Sequence, residues 1–109
     1  MTIPVDDVRN RLLSLRPTAE AELLAASADA TLCAIGRSGS PQPAVKYHEG
    51  RTAAPSMLDR ALPEAGDASD ALADTASHFD RFIALASGSP DWRAYREGAM
   101  DALSAASGR

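Results

Sequence analysis

Gly39-Ser40-Pro41-Gln42-Pro43-Ala44-Val45-Lys46-Tyr47-His48-Glu49-Gly50 is answered, nearly one half-chain later, by Gly88-Ser89-Pro90-Asp91-Trp92-Arg93-Ala94-Tyr95-Arg96-Glu97-Gly98. Each stretch opens on a Gly-Ser-Pro turn and reaches a Tyr-x-Glu-Gly run, and Ala54 and Ala102 follow at the same distance beyond the glycines. A glycine inside a helix costs about 1 kcal/mol relative to alanine, so two at matching positions point to a packing reason. The echo predicts two copies of a helix-turn-helix unit, with Tyr47, Gly50, Tyr95 and Gly98 as helix-contact residues at which each glycine lets a neighbouring backbone approach. The register slips by one residue between the turn and the Tyr-x-Glu-Gly run, so coincidence in an alanine-rich chain is the competing reading.

Working outward from the echo, helical periodicity covers most of the chain. Val5, Val8, Leu12 and Leu15 recur at helical spacing behind Pro4, and Asp6 and Asp7 suit the positive end of that helix, which is predicted over 4–16. Pro17 and Thr18 punctuate it. A second helix runs from Glu20 through Leu24, Ala28, Leu32 and Ile35 until Gly36 ends it. Residues 36–43 form a loop, with two glycines and two prolines. A third helix begins near Pro43 and is expected to break between Ala53 and Ser56, because Pro55 lacks an amide hydrogen and its ring clashes with the carbonyl four residues earlier.

Asp67 reads as the N-cap of a helix with the face Ala68, Leu72, Thr75, Phe79, Phe82, Ile83 and Ala86, the strongest amphipathic pattern present. Ser89-Pro90-Asp91 starts the last helix, whose face is Trp92, Tyr95, Ala99, Ala102, Leu103 and Ala106. Alternating apolar and polar runs of useful length are absent, so no strand is predicted. The expected fold is all-α: residues 1–109 as one domain, a small antiparallel bundle of four to five helices, with the echo suggesting two repeated helical hairpins.

Composition narrows the function classes. The net charge is −4 and the pI near 5.0, which argues against general nucleic-acid binding because phosphate affinity rests on Lys and Arg. The N-terminus has no basic region or long apolar run, so neither a signal peptide nor a membrane span is expected. Cys33 is the single cysteine, consistent with a reducing cytoplasm and with a buried small hydrophobe. Lys46 is the sole lysine beside ten arginines, which with the alanine excess points to a GC-rich bacterial source. Alanine makes up roughly a fifth of the residues, and each buries little apolar surface at about 25 cal/mol per Å². A core that thin favours a homo-oligomer or another protein partner.

The residues able to carry chemistry are few. Asp74 and His78 lie four apart on one helical face, and His48 and Glu49 are adjacent on another; facing each other they would offer two imidazoles and carboxylates to a metal. The competing reading is an exposed Asp74–His78 helical pair with His48 half-exposed. Arg37, Lys46 and Arg51 form a basic stretch able to hold an anion at a helix start, against the simpler reading of a generic loop. Glu49 and Glu97 are symmetry-related within the echo, and in one cleft they would raise each other's pKa for acid–base work.

The chain lacks a nucleophile elbow or a phosphate-binding glycine loop, and no cofactor is expected. The balance favours a non-enzymatic helical interaction module, a dimer acting as a regulatory or accessory subunit in a bacterial cytoplasm. Leu13, Leu23, Met57 and Met100 are its expected exposed contact residues, since they fall off the main stripes. The alternative is a small metal-binding protein or enzyme centred on His48/Glu49 and Asp74/His78. A DNA-binding regulator using the arginines of the first helix is disfavoured by the charge.

Overall fold

A computed structural model describes residues 2–34, 43–85 and 89–109, with side chains over 2–28, 43–81 and 89–109. The described backbone is helical, in four helices: α1 Val5–Ala34, α2 Pro43–Ala61, α3 Ser69–Leu85 and α4 Pro90–Ala106. The loop predicted at 36–43 falls, up to Gln42, outside the described residues. So do the side chains of Leu32, Cys33, Ile35, Phe82, Ile83 and Ala86.

The architecture centres on α2 against α4. A Cβ built on Gly50 would lie 2.0 Å from the Tyr95 carbonyl oxygen and 2.9 Å from the Ala99 nitrogen. One built on Gly98 would lie 1.9 Å from the Tyr47 carbonyl oxygen and 3.2 Å from the Arg51 nitrogen. Each glycine therefore aims a Cα–H at the carbonyl of the tyrosine three residues before the other glycine, the geometry of a Cα–H···O contact. No other residue allows backbones this close. Ala54 and Ala102, one turn further along, are both buried. The two helices run alongside each other in the same direction, with Lys46 over Trp92 at the start and Pro55 and Ala102 lining one cavity near the end.

The core spreads outward from this crossing. Val5, Val8 and Leu12 of α1, Leu58 of α2 and Phe79 of α3 are almost fully buried and join Ala99, Leu103 and Ala106 of α4. Thr75, also buried, satisfies its hydroxyl by donating to the Ala71 carbonyl at 2.7 Å. Met57 and Met100 pack against this cluster, which corrects their expected exposure. Both are flexible, unbranched side chains that adapt to the irregular edge of the cluster they pack against.

Two expected helix breaks do not occur. α1 continues through Pro17 and α2 through Pro55, so the two helices predicted at 4–16 and 20–35 are one. The missing amide of Pro17 deprives the Leu13 carbonyl of its helical partner, but Leu13 and Pro17 face solvent, where an unmade hydrogen bond costs less than in a buried core. Pro55 is buried. Its ring packs at the junction with α1 and α4, and the α2 segments on either side are held by Gly50 and Leu58, which offsets the roughly 3 kcal/mol cost of an interior proline.

The N-terminal segment is tied to the α2–α3 connection. Val5 N–H donates to the Gly66 carbonyl at 2.9 Å and Ala68 N–H to the Ile3 carbonyl at 2.7 Å. Asp67 accepts from Ile3 N–H, Ser69 N–H and the Ser69 hydroxyl. The Ser69 hydroxyl, then the two amides, hold its carboxyl below the usual carboxylate range. Asp67 thus sits just ahead of the cap position assigned to it from sequence and clamps two segments. At the other end of the chain, Gly108 at φ 88° closes α4: its N–H donates to the Ala105 carbonyl and Arg109 N–H to that of Ser104, with Arg11 Nη1 donating to Ala106 at 3.2 Å.

The crossing predicts that Gly50→Ala and Gly98→Ala are both destabilising, by about 1–3 kcal/mol each, as expected for overpacking. From sequence, Pro55 would loosen the helix of Gly50 and favour a larger effect at Gly98, but the near-equal approach distances make the two comparable. Thermal melts of the two variants check this, since alanine at a solvent-facing helical position would instead raise stability.

Candidate functional site

The densest polar arrangement lies where α1 crosses the start of α2. Glu22 of α1 pairs with Arg51 of α2. The His48 ring, one turn before Arg51, brings Nδ1 to 3.7 Å from Glu22 Oε2 and 3.5 Å from Arg51 Nη1. Tyr47 turns the other way, donating its hydroxyl to Asp101 Oδ2 at 2.5 Å, and the Tyr47 and His48 rings meet edge to face. Adjacent helical residues point about 100° apart, so one turn of α2 serves both neighbouring helices.

Between these groups is a cavity of about 230 Å³. Tyr47, Arg51 and Asp101 stand around it, and Leu15, Pro55 and Ala105 are among its apolar walls. The hydrogen bond to Asp101, then burial, raises the Tyr47 hydroxyl above its ordinary pKa of 10.0. Tyr95 is also raised, by burial first and then by the charge of Glu49. Neither phenol is therefore primed as a nucleophile or base near neutral pH. A larger groove, about 370 Å³, lies between α3 and α4, walled by Ile3, Leu72, Ala76, Met100 and Leu103.

The metal candidates are engaged separately. His48 faces Glu22 and Arg51, and Glu49 accepts from Lys46 Nζ at 2.9 Å. His78 meets the Phe79 ring edge-on at 5.2 Å, and Asp74 is exposed. Among the described residues no three His, Cys, Asp or Glu side chains converge as a metal site. Of the anion candidates, Arg51 is paired with Glu22, and Lys46 with Glu49 beneath the Trp92 ring, while Arg37 lies outside the described residues. Glu97 is exposed, and the glutamate of the other copy, Glu49, is held by Lys46. Tyr47, Gly50, Tyr95 and Gly98 stand together at the α2–α4 crossing.

Asp101 and Glu22 escaped the sequence reading. Asp101 carried a signal: its counterpart in the echo is Ala53, so it is a point where the copies differ just beyond the crossing. Glu22 carries no local signal, because its partners are set by how α1 lies on α2.

No family model matches this chain, and neither curated proteins nor solved structures give a match.

The raised Tyr47 pKa makes its contribution to stability complete below pH 10.0 and lost as pH rises through the higher folded-state value. Tyr47→Phe should cost at most about 1 kcal/mol at neutral pH, since the pair is partly exposed. It should also flatten the decline in stability above pH 10, measured by denaturant titration across the alkaline range.

Proposed function

We propose that this protein is a non-enzymatic helical interaction module that self-associates as a homodimer and serves as a regulatory or accessory subunit of a bacterial cytoplasmic complex. The observation that carries this reading is on α1. Leu13 is 74% exposed and Leu24 73% exposed, and Pro17, Ala21 and Ala28 are exposed with them. Their spacing places all five on one stripe of the helix, opposite Val5, Val8, Leu12 and Ala19 in the core. Leu24 and Ala28, which helical spacing sets on one apolar face with Leu32 and Ile35, are both exposed and join Leu13, whereas Leu23, an expected contact residue, is half-buried. A contiguous apolar stripe on a charged surface is the feature of interaction surfaces, whereas single exposed leucines are ordinary.

The same reading takes consecutive helices as antiparallel, in two hairpins. The order of contacts supports it: Arg16 meets Asp59 while Glu22, further along α1, meets Arg51, earlier in α2. In the second pair Asp80 meets Arg96, while Leu72 and Leu103 line one groove. Acidic surface charge suits a protein partner better than a phosphate backbone.

Sedimentation at about 50 μM, well above a Kd near 1 μM, should show a dimer for the parent. Leu13→Glu with Leu24→Glu should sediment as a folded monomer with an unchanged circular dichroism spectrum. A parent that stays monomeric removes the homodimer.

A further inference from the structure

We propose that the half-open cavity bordered by α1, α2 and α4 is a binding site for a small α-amino acid with an apolar side chain. Two opposite charges border one apolar space. Arg51 and Asp101, from different helices, both line it, with Leu15, Pro55 and Ala105 among the walls. Each charged group is held in place by a partner that leaves part of it available. Among the described residues Arg51 is engaged only through Nη1, by Glu22 and beside His48 Nδ1, which leaves Nε and Nη2 of the guanidinium for another acceptor. Tyr47 donates to Oδ2 of Asp101, and among the described residues Oδ1 keeps its lone pairs.

A zwitterion matches that pattern. Its carboxylate takes the remaining N–H groups of Arg51, where planar fork geometry favours carboxylates. Its ammonium donates to Oδ1 of Asp101, and its side chain lies on the apolar walls. A simple anion would satisfy Arg51 and face the Asp101 charge; a simple amine would do the reverse. At about 230 Å³ the space is below the ~300–1,000 Å³ of sites for drug-sized molecules, which suits a free amino acid. Because Arg51 and Asp101 are oriented before any ligand arrives, little ordering is required on binding. The assignment is independent of the α1 stripe.

The test is titration of the full chain with L-valine, followed by amide chemical shifts. Saturable shifts centred on Tyr47, Arg51, Asp101 and Ala105 are expected, with a Kd between about 10 μM and 1 mM. Isobutylamine and isovalerate, which lack the carboxylate and the ammonium respectively, should bind about tenfold or more weakly. Asp101→Asn should weaken valine by a similar factor. Ala105→Leu fills the cavity and should abolish the shifts while keeping the parent's helicity. The assignment fails if valine gives no saturable shift up to about 20 mM, a range that covers the weakest expected Kd. It also fails if isobutylamine or isovalerate binds as tightly as valine on the parent, a comparison that does not depend on any variant folding. Undiminished valine binding by folded Ala105→Leu likewise overturns it.

Discussion

The contact on which the rest of the structure depends is backbone against backbone, where Gly50 meets the Tyr95 carbonyl and Gly98 meets that of Tyr47. Alanine-rich helices bury little area per residue, so they gain cohesion only by approaching closely enough for their backbones to contribute dispersion and Cα–H···O contacts. The glycines make that approach possible, and the neighbouring Ala54 and Ala102 extend it. Once α2 and α4 are this close, the large side chains have one place to go: outward, to Val5, Val8 and Leu12 on α1 and to Phe79 on α3.

The same crossing organises the polar chemistry. Tyr47 cannot point into a seam closed by its own carbonyl and Gly98, so its ring reaches past the seam and finds Asp101 one turn further along α4. Arg51, one turn beyond Tyr47, faces α1 and is met by Glu22. Two charged groups of opposite sign therefore border the cavity because the seam beside it is too narrow for side chains. The metal constellation imagined from spacing has no such organiser: His48 and Glu49 are occupied by Glu22, Arg51 and Lys46, and Asp74 and His78 lie on a different helix with their own surroundings.

The two prolines show how tertiary context overrides local preference in opposite ways. Pro17 is tolerated because it lies on an exposed face of α1, where an orphaned carbonyl costs less than in the core. Pro55 is tolerated because burial against α1 and α4 outweighs the lost hydrogen bond. Both read as helix breaks from sequence, since the local rule counts the missing amide and the ring clash but not what lies on the far side of the helix. Fusing the two predicted N-terminal segments also bears on the proposed contact surface, since only a continuous α1 aligns Leu13, Pro17, Ala21, Leu24 and Ala28 on one stripe.

By itself, the sequence determined the helical class, the capping at Ser89-Pro90, most of the core positions on α3 and α4, and the marking of Gly50 and Gly98 as helix-contact positions. These follow from periodicity, from turn chemistry and from a repeat, all of which are local or self-referential signals. Tertiary structure alone decided that α1 is continuous, that Leu24 is exposed while Met57 and Met100 are covered, and that Glu22 and Asp101 complete the polar site. Those outcomes depend on which faces of different helices meet, and a one-dimensional pattern gives the angle of a residue about its own helix but not the identity of the helix it will face.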